Sequence, residues 1–293
     1  MNWGRILTAM VTPFTREGQL DVEGAQKLAA HLVEHGSDGL VVSGTTGESP
    51  VLTKEEKLTL FRAVKEAVGG KALVIAGTGS YDTAASVELS KEAEKIGVDG
   101  LMLVVPYYNR PSQEGLYQHF KTVATSVSLP VILYNIPSRT GCNMEPDTVL
   151  RLLEIKNIVA LKEASGDISQ ATSILSRAPK GFLLYSGDDV MTLPLLAVGA
   201  HGVISVASHL VGEKMQEMIQ SFLQGQVERA VSLHQELFPL FKALFITTNP
   251  VPVKAALDML GLPAGPPRLP LVEASPGEKE KIAGALKAAG LLP

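Results

Sequence analysis

The sequence predicts a (β/α)8 TIM barrel followed by a C-terminal helical appendage. Three observations carry that prediction. Eight short β-rich runs recur along the chain, and the segments between them have helical periodicity. The runs are spaced at intervals that begin near 33 residues and contract to about 20, enough throughout for a strand, a helix and two loops. The turn after the first run, Thr12-Pro13-Phe14-Thr15, lacks the glycine fingerprint that an open, doubly wound sheet carries there. Strict β–α alternation implies parallel strands with right-handed crossovers. Eight such units in roughly 225 residues match a closed barrel better than an open sheet.

In chain order, strands are expected near residues 6–10, 39–43, 72–76, 101–105, 131–135, 158–162, 182–186 and 203–206. Asp21 caps a helix that carries Leu28, Leu32 and Val33 on one face. Thr53-Lys54-Glu55-Glu56 is a capping box ahead of Leu58, Leu60 and Phe61. Asp82 opens the next helix and Gly97 closes it. Gly115, Gly166-Asp167 and Gly187-Asp188-Asp189 punctuate in the same way, with Asp188 expected as a helix N-cap. Beyond the eighth unit, helical stretches are expected at 227–245, 252–260 and 277–289, so residues 1–225 are read as the barrel and 226–293 as a helical domain packed on it.

Composition narrows the function. Of the 293 residues 45% are hydrophobic and 19% charged, an ordinary globular balance with ample core material. The net charge of −4, with no cluster of Lys and Arg among aromatics, argues against nucleic acid as a partner. No apolar run approaches membrane-spanning length, and Met1-Asn2-Trp3-Gly4-Arg5 lacks the features of a secretory leader. A single cysteine, Cys142, rules out an internal disulfide and a thiolate-rich zinc site and fits a reducing, cytoplasmic setting.

The anomaly is a lysine. Asn157-Ile158-Val159-Ala160-Leu161-Lys162-Glu163-Ala164 reads as a strand buried on both faces, yet Lys162 stands near its end. Strand-end lysines commonly snorkel to water. In a barrel, however, the C-terminal strand ends form the active-site face. Other functional groups gather at that end. Strand two leads into Gly44-Thr45-Thr46-Gly47-Glu48-Ser49, strand four into Tyr107-Tyr108, and strand five carries Tyr134 with the parity of Ile132, towards the barrel mouth. Arg139 follows on the next loop, where a guanidinium can clamp a carboxylate. A desolvated lysine, tyrosines, paired threonine hydroxyls and an arginine suit amine-based covalent catalysis on a carbonyl. Lowering a lysine pKa from about 10.4 to about 7–8 needs about 4 kcal/mol of preference for the neutral amine, which an apolar barrel interior can supply. A phenol bonded to threonine is a proton shuttle for making and hydrolysing the imine.

Three motifs, Gly44-Thr45-Thr46-Gly47-Glu48, Tyr134-Asn135-Ile136-Pro137-Ser138-Arg139-Thr140-Gly141 and Leu161-Lys162-Glu163-Ala164, resemble those of the dihydrodipicolinate synthase and N-acetylneuraminate lyase family of pyruvate-dependent class I aldolases, over essentially the whole chain. The resemblance implies that Lys162 forms an imine with pyruvate, that Tyr134 moves protons beside it, and that Thr45 links Tyr134 to Tyr108, which in this family enters from a neighbouring subunit. It implies that Thr46 binds the pyruvate carboxylate, that Arg139 binds a carboxylate of the acceptor, and that Gly187 and Ile204 line the pocket through backbone atoms. It further implies a homo-oligomer, usually a tetramer, with no metal and no cofactor beyond the substrate imine.

Within that family the resemblance, by Thr46 and Arg139, implies an acceptor with a carboxylate, L-aspartate 4-semialdehyde, condensed to 4-hydroxy-tetrahydrodipicolinate on the route to diaminopimelate and lysine. The alternatives are N-acetylneuraminate lyase or keto-deoxy sugar acid aldolase activity in the same family, and a barrel that only senses a keto acid. Lysine-inhibited members use histidines, an asparagine and a glutamate where this chain has Lys54, Lys57, Tyr81 and Ala85, with Ser49 and Tyr107 kept; weak or absent feedback is expected. His31-Leu32-Val33-Glu34-His35 matches a zinc-peptidase spacing but falls at the barrel's N-terminal face, and Cys142 carries no expected role.

Overall fold

The computed structural model describes residues 3–293; the N-terminal stretch read above for a leader begins with Met1 and Asn2, which lie outside the described residues. Eight parallel strands close into a barrel in chain order, the last pairing with the first. They are β1 (Ile6–Ala9), β2 (Gly39–Val42), β3 (Leu73–Gly77), β4 (Gly100–Val104), β5 (Val131–Asn135), β6 (Ile158–Glu163), β7 (Leu183–Ser186) and β8 (Gly202–Ser205), each within a residue or so of its expected position. The helices between them are α1 (Val22–Glu34), α2 (Lys54–Val68), α3 (Thr83–Ile96), α4 (Gln113–Ala124), a single turn α5 (Pro137–Thr140), α6 (Pro146–Leu152), α7 (Ile168–Leu175) and α8 (Thr192–Ala197). After β8 come α9 (Ser208–Leu223), α10 (Val227–Ala243), α11 (Val251–Met259) and α12 (Pro276–Ala288).

The caps read from sequence fall where expected. Asp21 accepts from Gly24 N, Thr53 and Glu56 form the reciprocal box, and Asp82 accepts from Ala84 N and Ala85 N. Gly97 closes α3 at φ +86, a left-handed position that a side chain would strain. Asp188 is a correction. It accepts from Val190 N in a turn, and α8 begins only at Thr192, after Met191. The chain there is held in a turn, with Ser186 Oγ donating to Asp188 O and the Asp189 carboxylate accepting from Val206 N and Ala207 N, so the helix starts only after it.

Two apolar layers result from the strand pleat. Residues of one parity, Leu7, Val41, Ile75, Ile132, Ala160 and Ile204 among them, fill the barrel interior. Those of the other parity, such as Ile6, Leu40, Val74, Leu133 and Leu161, pack outward against the helices. Asn157 closes the entry to β6 by donating to the carbonyls of Ala124, at the end of α4, and of Val127 and Leu129 in the loop beyond it. The segment between α11 and α12 runs back over the C-terminal loops of β1 and β2. Phe14 N donates to Ala264 O, and the Arg268 guanidinium lies over the Phe14 ring while pairing twice with Glu56. Among the described residues, no helix is long and apolar enough to cross a membrane.

Candidate active site

β5 and β6 place the central pair. Their register sets Tyr134 opposite Lys162 and Asn135 opposite Glu163. Tyr134 and Lys162 have the inward parity of Ile132 and Ala160, so both enter the barrel mouth. Lys162 is 4% exposed and Tyr134 3%, and the Lys162 Nζ lies 4.2 Å from the centre of the tyrosine ring. Burial drives the Lys162 pKa down to about 7. The buried Asp189 anion works in the opposite direction, and the Arg139 guanidinium adds to the lowering. Burial pushes Tyr134 up to about 12, opposed by Arg139 and by its hydrogen bond with the Thr45 side chain. The pair therefore offers a substantially neutral amine beside a protonated phenol near neutral pH.

The outward neighbours fix this arrangement. The Glu163 carboxylate accepts from Ser165 N at 2.7 Å, from Asn135 Nδ2 at 3.2 Å and from Gln170 Nε2 at 3.0 Å. A buried charge needs such a full set of donors. The Asn135–Glu163 contact ties the ends of β5 and β6 on their outer face, just past the residues that meet on the inner face. Asp189 is held likewise by Ser205 Oγ, Val206 N and Ala207 N, and burial raises its pKa to about 6.

Above this floor opens a cleft lined by Gly44, Thr45, Tyr107, Tyr134, Ile136 and Arg139, among others. Thr45 and Arg139 thus converge on Tyr134 as the sequence led one to expect, although Arg139 stands on the one-turn helix α5 and not on a loop. Thr46 is buried, and its hydroxyl accepts from Asn249 Nδ2 at 2.9 Å. Arg139 Nη2 donates to the Asn249 carbonyl at 3.2 Å. Asn249 therefore joins the two residues expected to hold carboxylates, and its own Oδ1 is buried without a hydrogen-bond partner among the described residues. Sequence reasoning missed it. The available signal was Thr248-Asn249-Pro250-Val251-Pro252, a turn-then-helix pattern in a segment read only as appendage.

The remaining expected residues divide. Gly187 is beside the lysine: a Cβ there would lie 2.6 Å from Ala164 Cβ and 3.2 Å from Lys162 Cγ. Gly187→Ala is expected to lower stability by about 1–3 kcal/mol through overpacking and to slow lysine chemistry, checked by thermal unfolding alongside adduct formation. Ile204 is buried in the barrel interior with Tyr134 and Ala160. Tyr108 is not brought in: it is 93% exposed at φ +73, outside its own chain's cleft. Tyr185 points the other way, its hydroxyl donating to Gly4 O at the opposite end of the barrel. His31 and His35 stack at 4.0 Å at the end of α1, far along the chain from these groups, and among the described residues no three His, Cys, Asp or Glu side chains are grouped as metal ligands. Cys142 is half-buried and its thiol donates to Pro111 O.

A desolvated strand-end lysine, a phenol beside it and a guanidinium at the rim, all at the C-terminal end of a (β/α)8 barrel, define the class of lysine-dependent, imine-forming enzymes. The chain belongs to the dihydrodipicolinate synthetase family, whose sequence pattern matches residues 2–289. It is 72% identical over 292 residues to the 4-hydroxy-tetrahydrodipicolinate synthase of Moorella thermoacetica, with 100% of both chains covered. It is 63% identical to the enzyme of the same name from Desulforudis audaxviator, covering 100% of this chain and 99% of the other. The crystal structure of the Cyanidioschyzon merolae enzyme with lysine bound superposes with a TM-score of 0.98 at 50% identity, over 99% of each chain.

Proposed function

We infer that this enzyme condenses pyruvate with L-aspartate 4-semialdehyde to give 4-hydroxy-tetrahydrodipicolinate, as an aldolase-type lyase of diaminopimelate and lysine biosynthesis. The observation that carries the reading is the Lys162 amine, buried over the Tyr134 ring with its pKa drawn down to about 7. A neutral amine there attacks C2 of pyruvate, and loss of water gives the imine. Tyr134, bonded to Thr45, supplies the proton that lets water leave and accepts one when the methyl carbon is deprotonated to the enamine. The enamine carbon attacks the aldehyde of the acceptor. The acceptor's own amine then displaces Lys162 from the imine carbon, closing the ring and restoring the lysine, with one water lost overall.

We assign Thr46 to the pyruvate carboxylate, Arg139 to the acceptor carboxylate, and Gly187 and Ile204 to the pocket wall. Tyr108, exposed on its own chain, suits a role in a neighbouring copy's site, so we take the enzyme to be a homo-oligomer, a dimer of dimers, with no cofactor beyond the substrate imine. The single, half-buried cysteine fits a cytoplasmic setting. Borohydride reduction in the presence of pyruvate, followed by mass measurement and turnover with either L-aspartate 4-semialdehyde or N-acetylmannosamine, tests the reading. A pyruvyl adduct on Lys162 with turnover of the semialdehyde alone supports it. Absence of the adduct, or preference for the sugar, refutes it.

Feedback by lysine is expected to be weak or absent. Tyr81 meets Tyr107 edge-on with ring centres 5.3 Å apart, and Ala85 offers no polar group. Lys54 is paired with Glu88 and burial lowers the pKa of Lys57, so neither is a strong source of repulsion and the weight rests on Tyr81 and Ala85. Initial rates measured against lysine should stay flat through the sub-millimolar range; inhibition there would refute the expectation.

A further inference from the structure

The loop that carries Thr45 and Thr46 ends in a buried charge that the chemistry above does not use. Glu48 sits at φ +55, a backbone region non-glycine residues rarely occupy unless their surroundings over-determine it. Its carboxylate lies 2.6 Å from Lys254 Nζ, with both side chains only 2% exposed. The other Glu48 oxygen accepts from Arg268 N at 2.8 Å, and Lys254 also donates to Pro266 O while lying over the Phe14 ring. Lys254 belongs to α11, whose start directly follows the Asn249-Pro250 turn.

The spacing matters. Glu48 is two residues after Thr46, and Lys254 is five after Asn249, so the ion pair joins the same two segments as the Thr46–Asn249 hydrogen bond. Arg139 is held by the Asn249 carbonyl and shares its placement. The lysine–tyrosine pair stands on β5 and β6 and, among the described residues, shares no hydrogen bond or ion pair with Glu48 or Lys254. We propose that the Glu48–Lys254 ion pair is a positioning device for the carboxylate-binding residues of the site, setting Thr46, Asn249 and Arg139 against one another while leaving the amine and phenol to the barrel. Residues 226–293 thereby complete the site as well as cover the barrel. The inference rests on the two-substrate aldolase reading.

The test separates the half-reactions in Lys254→Met, Glu48→Gln and the double variant. The double variant leaves no unpaired buried charge and keeps an amide oxygen for Arg268 N, so it should fold even where a single variant does not. In every folded variant, borohydride trapping at saturating pyruvate should proceed within about twofold of the native rate, since Lys162 and Tyr134 stand on the barrel strands. The KM for aspartate semialdehyde should rise about tenfold or more, because small displacements of positioning groups are costly. An unchanged acceptor KM in the folded double variant overturns the proposal. So does a parallel loss of trapping and acceptor affinity, which would mark the pair as merely structural. If the native enzyme itself traps no pyruvate, the aldolase reading and this inference fall together; native trapping with unaltered variants sinks the inference alone.

Discussion

Lys162→Met is expected to trap no pyruvyl adduct, to lose at least about a thousandfold in kcat, and yet to unfold at a higher temperature than the native chain. The two effects share one cause. Burial moves the Lys162 pKa from 10.5 to about 7, so the folded state resists a proton that the unfolded chain takes up readily. Below about pH 7 the native chain bears the whole penalty, roughly 5 kcal/mol as an upper bound at 1.36 kcal/mol per unit. Between pH 7 and 10.5 the folded amine is neutral while the unfolded one is charged, and the penalty shrinks as pH rises. Above 10.5 both are neutral and it vanishes. The stability gained by Lys162→Met should thus be largest below pH 7 and fade towards pH 10.5, which thermal melts at a series of pH values would measure. The native rate of adduct formation should fall about tenfold per unit below pH 7, where the neutral amine becomes scarce. A flat melting difference across that range would contradict the burial of an amine of this pKa.

Arg139→Ala is expected to leave pyruvate adduct formation intact and to cut kcat/KM for aspartate semialdehyde by about a hundredfold or more. The guanidinium stands on α5 and among the described residues donates one of its five N–H groups, to the Asn249 carbonyl, leaving donors for a carboxylate. Its removal also takes a cation from the neighbourhood of Lys162 and Tyr134. The Lys162 pKa should therefore rise slightly and the pH profile of trapping move up with it. Arg139→Lys should recover little, since an ammonium lacks the planar fork. Equal semialdehyde turnover by Arg139→Ala and the native enzyme would remove the role.

The barrel was legible because strands and caps are local. A buried parallel strand reads as a short apolar run, and Asp21, Thr53 and Asp82 announce their helices through side chains that bond a few residues on. The lysine was legible for the opposite reason, as a charge where the pattern required none. Less legible was whatever depends on contacts across long separations. Asn249 bonds Thr46 across 203 residues and Lys254 meets Glu48 across a comparable gap, and no local pattern encodes either meeting. Glu163 drew no separate reading from the sequence, because its bonds to Asn135 and Gln170 exist only in the fold. Asp188 misled because its type suits a cap, whereas the turn it lies in is fixed by bonds that Val206 N and Ala207 N, remote in sequence, donate to Asp189.

The two halves of this site stand on different materials. The amine and phenol are embedded in hydrogen-bonded strands whose neighbours on both faces are already committed. Arg139, by contrast, rides on a single helical turn between Ile136 and Gly141, and Asn249 sits in a turn outside the barrel wall. Selection can therefore rework the second partner of the reaction by small changes to peripheral turns, at little risk to the donor chemistry. A laboratory library seeking new aldehyde acceptors should accordingly diversify residues 136–141 and 246–250 and leave the strand ends untouched.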